Sequence, residues 1–193
     1  MSTITKLLPC HILRFGDSDV GLWLTDLKPD NLMLVRDAIA PGGERVKILD
    51  FGIAKLTDKD SPNVKTATQA IMGTPMYMSP EQCQGAGKVD AKTDVYSLGC
   101  VLYESLCGFP PFLGEGHGEI IAKHLFQEPA SITNHVSDVP ASVVALVHRM
   151  LVKDKSVRPS MSEAADEHDA ISSPLSSVGP LLRTPNHRTL DPA

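Results

Sequence analysis

Four polar side chains near the start of the chain have the types and spacing to act together. Asp26, Lys28 and Asn31 lie within one short run, Asp26-Leu27-Lys28-Pro29-Asp30-Asn31, and Asp50 opens a second, Asp50-Phe51-Gly52. An amide oxygen and a carboxylate, those of Asn31 and Asp50, suit Mg²⁺, a hard cation that prefers oxygen ligands and substrate phosphates. A second carboxylate nearby, Asp26, can accept a proton from a hydroxyl or orient it. A lysine two residues on, Lys28, can neutralise charge on a transferring phosphoryl group. Singly, each residue has a plainer use. Asp26 and Asp30 serve as turn residues, Asn31 as a strand-start cap, and Asp50-Phe51-Gly52 as a strand end with a turn glycine.

The element that must position these groups is a hairpin. Residues 31–35 (NLMLV) and 46–51 (VKILDF) are short apolar-rich runs, and Pro41-Gly42-Gly43 between them is a strong turn signal. A hairpin brings its outer ends together, so Asp26, Lys28, Asn31 and Asp50 are expected to converge at one end. Residues 53–78 are polar and Thr-rich with little periodicity, and a loop of that length inside a compact domain is usually functional. Residues 94–106 are apolar nearly all round and predict a helix buried on most sides, ended by Gly108 and Pro110-Pro111. Residues 115–128 predict a second, more polar helix. Val143, Leu146, Val147, Met150 and Leu151 fall at helical spacing, with Pro140 suited to the first turn. Residues 1–20 have no clean period. From 169 to 193 the composition shifts to Ser, Pro, Gly and Thr and predicts a disordered tail. The fold class is therefore mainly α (α+β), with a small β-hairpin near the start.

The 193 residues allow one domain plus a short tail. Lys and Arg total 18 against 23 Asp and Glu, and a formal charge of −5 supplies no overall basic field for nucleic acid. Hydrophobic residues at 42% are enough for a core and too many for wholesale disorder. No apolar run approaches the roughly 18 residues of a membrane span. The first fifteen residues, broken by Pro9, His11 and Arg14, make a poor secretory signal. The four cysteines form no C-x-x-C pair and no cluster at metal spacing. Cys100 and Cys107, in an apolar segment, read as reduced core residues of a cytoplasmic protein.

D-L-K-P-D-N, then D-F-G, then G-T-P-M-Y-M-S-P-E, in that order, resemble the catalytic loop, the magnesium motif and the end of the activation segment of a protein kinase. Asp94-Val95-Tyr96-Ser97-Leu98-Gly99 resembles the start of the long central helix of the kinase large lobe, and Arg158-Pro159-Ser160 the late arginine motif. D-F-G alone would be weak; the ordered set is what the plainer readings fail to explain. Lys28 marks the Ser/Thr branch, and the wording ILDFGIAKL and SPEQ looks most like bacterial Ser/Thr kinases.

The resemblance implies roles. Asp26 accepts or orients the substrate hydroxyl, Lys28 contacts the γ-phosphate of ATP, and Asn31 and Asp50 hold the metal ions. Thr74 closes the floor of the substrate site. Glu81 pairs with Arg158, a buried structural ion pair, and Asp94 hydrogen-bonds catalytic-loop backbone from its helix N-terminus. Read without the family, Glu81 merely favours the first turn of a short helix after Pro80. Arg158 is then an exposed charge, and Asp94 a helix N-cap with Thr93 competing for the place. Thr66 and Thr68 lie where bacterial kinases of this type often carry activating phosphothreonines; the alternative is two exposed threonines in a loop.

The resemblance covers 21–168 as a kinase C-lobe. Two departures stand out. Leu24-Thr25 precede Asp26 where the family usually has His-Arg, so phosphate on Thr66 or Thr68 is expected to order its loop weakly. Only about 25 residues precede Asp26, and no G-x-G-x-x-G occurs, so the N-lobe with its Gly-rich loop, strand lysine and helix glutamate is expected to be missing. The implied function is a truncated Ser/Thr kinase acting on protein substrates with ATP and Mg²⁺. The alternative is a catalytically inactive, pseudokinase-like fragment that binds proteins. A partner supplying a small lobe or a scaffold is a third possibility.

Overall fold

The computed structural model describes residues 27–39, 43–49, 74–85 and 89–176. Among them, two short strands precede five helices, β1 (Leu32–Arg36), β2 (Glu44–Ile48), α1 (Pro80–Cys83), α2 (Ala91–Cys107), α3 (His117–Phe126), α4 (Ala141–Met150) and α5 (Met161–Ser176). The described residues are mainly helical with one two-stranded antiparallel sheet. No helix among the described residues is long and apolar enough to cross a membrane.

β1 and β2 pair from Leu32 opposite Ile48 to Arg36 opposite Glu44. At the closed end Asp37 accepts from the Ile39 amide at 2.9 Å and forms an ion pair with Arg45 at 2.8 Å. Gly43, with φ of +75°, takes the left-handed backbone that returns the chain to β2. Leu27 and Val46 join the buried cluster of the helical body, with Leu32 packed beside them, and so dock the hairpin.

α2 is the axis of the body. Every residue from Thr93 to Tyr103 is buried, as an apolar run with no polar face requires. It begins earlier than the apolar pattern suggests. Asp90, and neither Thr93 nor Asp94, is the N-cap: its carboxylate accepts from the Lys92 amide at 2.9 Å, while the Thr93 hydroxyl accepts from the Asp90 amide at 3.3 Å. This reciprocal box satisfies two amides that the first turn leaves without helical partners. Gly108 ends the helix at φ of +84°, its amide bonded to the Glu104 carbonyl at 2.7 Å. Where α4 crosses α2 there is room only for glycine: a Cβ on Gly99 would lie 3.0 Å from Cβ of Met150 and 3.1 Å from Leu151. Pro140, expected inside the first turn of α4, is instead its N-cap.

α5 starts with a second reciprocal pair. Ser160 Oγ accepts from the Glu163 amide at 3.1 Å, and the Glu163 carboxylate accepts from the Ser160 amide at 2.7 Å. The helix continues through 169–176, where composition predicted a disordered tail. Ala164, Ala165 and His168 are buried and partly buried Ile171 packs against the core on the same stripe, so helical packing carries on past the compositional boundary.

Candidate functional site

The open end of the hairpin carries Lys28 and Asn31, two of the four residues singled out by type and spacing. Leu27 is buried, which anchors this stretch of backbone. Lys28 follows in extended conformation (φ −149°, ψ 163°), so its half-buried side chain leaves on the side opposite Leu27. Pro29–Asn31 then form a single 3-10 turn, closed by the Asn31 amide donating to the Lys28 carbonyl at 3.0 Å. The Leu49 amide donates to the Asn31 carbonyl at 2.9 Å, which ties the residue before Asp50 to Asn31. Asp26, Asp50, Thr66 and Thr68 lie outside the described residues.

A second segment, 74–81, faces this turn. Asp30 is within electrostatic reach of Tyr77 and adds to the forces holding its phenol protonated. Half-buried Thr74 leads the 3-10 turn Pro75–Tyr77, its carbonyl accepting from the Tyr77 amide at 3.2 Å. Tyr77 staples the segment to α2 at two points. Its carbonyl accepts from Ser97 Oγ at 2.8 Å, and its hydroxyl donates to Glu104 Oε2 at 2.6 Å. Burial, and next the Glu104 carboxylate, push the Tyr77 phenol far up, so it remains a donor at any physiological pH. Ser79 caps α1, exchanging hydrogen bonds with Gln82 in both directions.

Beneath this segment lies the densest polar network. Arg158 grips Glu81 with two parallel bonds, Nη1 to Oε1 at 2.7 Å and Nη2 to Oε2 at 2.8 Å. Its remaining N–H groups donate to the carbonyls of Val152, Lys92 and Lys153 at 2.6, 2.9 and 2.9 Å. All five guanidinium donors are thereby engaged. The Thr93 hydroxyl donates to Glu81 Oε1 at 2.9 Å, and the guanidinium carbon lies 4.8 Å from the Tyr96 ring centroid. Burial pushes the Glu81 carboxyl up, but the hydrogen bonds and charge of Arg158 overcome it and hold the pKa below the usual range. Asp94, 4% exposed, sits in the first turn of α2, where the helix dipole favours a carboxylate.

Reasoning from sequence assigned no role to Tyr77, Glu104, Tyr96, His124 or Lys153. A signal for the first pair was present. Glu104 is a carboxylate in an otherwise apolar helix, and Tyr77 is an aromatic hydroxyl that needs a partner once buried. Nothing in the spacing joins Tyr96 to His124.

Residues 19–169 match the protein kinase domain family. Serine/threonine-protein kinase PknB of Mycolicibacterium smegmatis is 39% identical over 149 residues, covering 77% of this chain and 22% of that protein. Serine/threonine-protein kinase pkn2 of Myxococcus xanthus is 38% identical over 170 residues, covering 86% of this chain and 20% of that protein. The chain thus spans about a fifth of the length of the curated relatives it matches. A hairpin followed by a helical body built around a buried central helix is the arrangement of a kinase large lobe. With the family match extending over most of its length and such relatives beside it, the chain belongs to the protein kinase family, in the bacterial Ser/Thr branch.

Proposed function

We propose that the protein serves an ATP-dependent Ser/Thr kinase, in which the γ-phosphate of ATP passes to a hydroxyl of a protein substrate. The observation that carries this is the bond between Leu49 and Asn31, which holds Asn31 beside the residue that precedes Asp50 in the sequence. The donor chemistry supports a fit to magnesium: an amide oxygen and a carboxylate are hard donors of the kind that ion takes. Mg²⁺ bound with ATP supplies neutralisation of the phosphate charge. Asn31 and Asp50 are the residues that would hold it.

The other roles follow from chemistry and position. Asp26 would orient the substrate hydroxyl and take its proton as the oxygen bonds to phosphorus. Lys28, led away from the core by its extended backbone, would meet the γ-phosphate. Thr74 would floor the substrate site at the head of the segment stapled by Tyr77. Glu81, Arg158 and Asp94 would act as structure, fixing that segment to α2. Thr66 and Thr68 would be phosphorylation sites.

The test is transfer of radiolabelled phosphate from Mg-ATP to Ser/Thr-containing peptides, with Asp26→Asn as comparison. Turnover abolished by the substitution supports the kinase. Absence of turnover together with retained protein binding supports a non-catalytic binding module instead. Metal placement is read separately, from Mn²⁺ broadening of the Asn31 side-chain amide signal. Loss of that broadening in Asp50→Asn is the expected result.

A further inference from the structure

A second polar chain runs under the substrate-facing segment, adjoining the Glu81–Arg158 pair where the guanidinium lies over the Tyr96 ring. His124, on α3, is fully buried. Its Nδ1 lies 2.9 Å from the Tyr96 hydroxyl, and its ring meets Phe112 edge-on at 4.9 Å between centroids. Lys153 donates to the same Tyr96 hydroxyl at 3.2 Å, with its ammonium 4.3 Å from the Phe112 centroid. Burial lowers the Lys153 pKa to about 8, which leaves the amine charged at neutral pH. Burial, and next the Lys153 charge, lower His124 to about 4, so its ring is neutral. The carbonyls of Met76 and Pro75 act on that ring in the opposite sense, and α3 packs against their turn. Nε2 makes no full hydrogen bond among the described residues.

These facts fix the direction of every proton. An ammonium has no lone pair, so Tyr96 accepts from Lys153 and cannot donate back to it. The tyrosine proton therefore goes to His124 Nδ1. A neutral imidazole accepting at Nδ1 carries its own proton at Nε2, on the other side of the ring. We infer that His124 is a positioning residue for the substrate-facing segment, presenting an Nε2–H donor to the Pro75 and Met76 carbonyls, with its tautomer set by Tyr96 and Lys153. The inference rests on the kinase reading only in calling residues 74–81 substrate-facing. A loose donor in the free protein that tightens as the segment seats a peptide is ordinary behaviour for such sites.

The test needs neither ATP nor an identified substrate. Ring ¹⁵N shifts of His124 should show the Nε2–H tautomer in the intact chain at pH 7. Tyr96→Phe and Lys153→Met should each turn it into a mixture of tautomers. Amide exchange at Tyr77 and Met78 should speed up about tenfold in both variants while α4 amides stay within about twofold. Lys153→Met keeps the question decidable if Tyr96→Phe does not fold, because only the side chain of Lys153 joins this chain. An Nδ1–H ring, a charged ring, or unchanged exchange at Tyr77 and Met78 in both variants would overturn the inference. Absent phosphotransfer with the stated tautomer would count against the kinase reading alone.

Discussion

Arg158 and Lys28 are both cations of one kinase lobe, and they differ in how far each is withdrawn from water. Arg158 is 2% exposed and directs all five donors to protein acceptors on three separate stretches of chain. Lys28 is half-buried beside a turn whose strands pair with each other and which is docked to the body through Leu27, Val46 and Leu32. The difference sets what each charge demands of its surroundings. A charge withdrawn from water must find its partners inside the protein, or its desolvation is uncompensated. A charge that keeps part of its surface in water is under no such demand. The helical body thus holds a cation engaged on every donor, and the hairpin mouth holds one that keeps part of its surface in water.

The contrast is tested most severely at the buried pair. Arg158→Met leaves Glu81 buried with the Thr93 hydroxyl and a backbone amide but no cation to answer it, and Glu81→Gln leaves the guanidinium without its anion. Each substitution should lower stability by about 3–5 kcal/mol, read from urea unfolding. A loss below about 1 kcal/mol would mean that the pair is no more than a surface bridge, and the distinction between the two regions would fail.

Acid should probe the same frame through His124. Its folded-state pKa, about 4, lies below the ordinary histidine value of 6.5, so between those limits the unfolded chain takes the proton that the folded chain refuses. The contribution is whole above pH 6.5 and is lost as pH falls to about 4. The gap corresponds to roughly 3 kcal/mol at most. His148 and His168, both lowered mainly by burial, act in the same direction, so the His124 share is the difference between intact chain and His124→Gln. That difference should shrink by about the stated amount from pH 7 to pH 4. Parallel curves for the two proteins would show that His124 is not buried in its neutral form.

How much of this was legible beforehand depended on the range of the signal. The hairpin and the helix around Val143 to Leu151 announce themselves through local period and turn chemistry, and the structure contains both. The start of α2 was misplaced because its apolar run begins after its cap: Asp90 and Thr93 act through hydrogen bonds that periodicity does not register. Composition set the start of the tail at 169, yet helical packing of Ile171 carries α5 to Ser176. At the site, residue types named Lys28 and Asn31, whereas Tyr77 with Glu104 and Tyr96 with His124 are contacts across 27 and 28 residues of chain. No local pattern encodes which distant partner such a group will find.

The smallest expected change in stability comes from the other side of the comparison. Lys28→Met keeps most of the apolar stem of the side chain and removes its ammonium group. Leu27, which docks the backbone, is untouched, as is the Lys28 carbonyl that closes the turn with Asn31. Unfolding free energy should therefore move by less than about 1 kcal/mol, the scale of a partly exposed charge. Phosphotransfer should nonetheless fall about 10²–10³-fold, the usual consequence of removing one group that stabilises developing charge. Unfolding and peptide phosphorylation measured on one preparation decide the matter. A large loss of stability would make Lys28 a frame residue like Arg158, and unchanged turnover would remove it from the phosphate site.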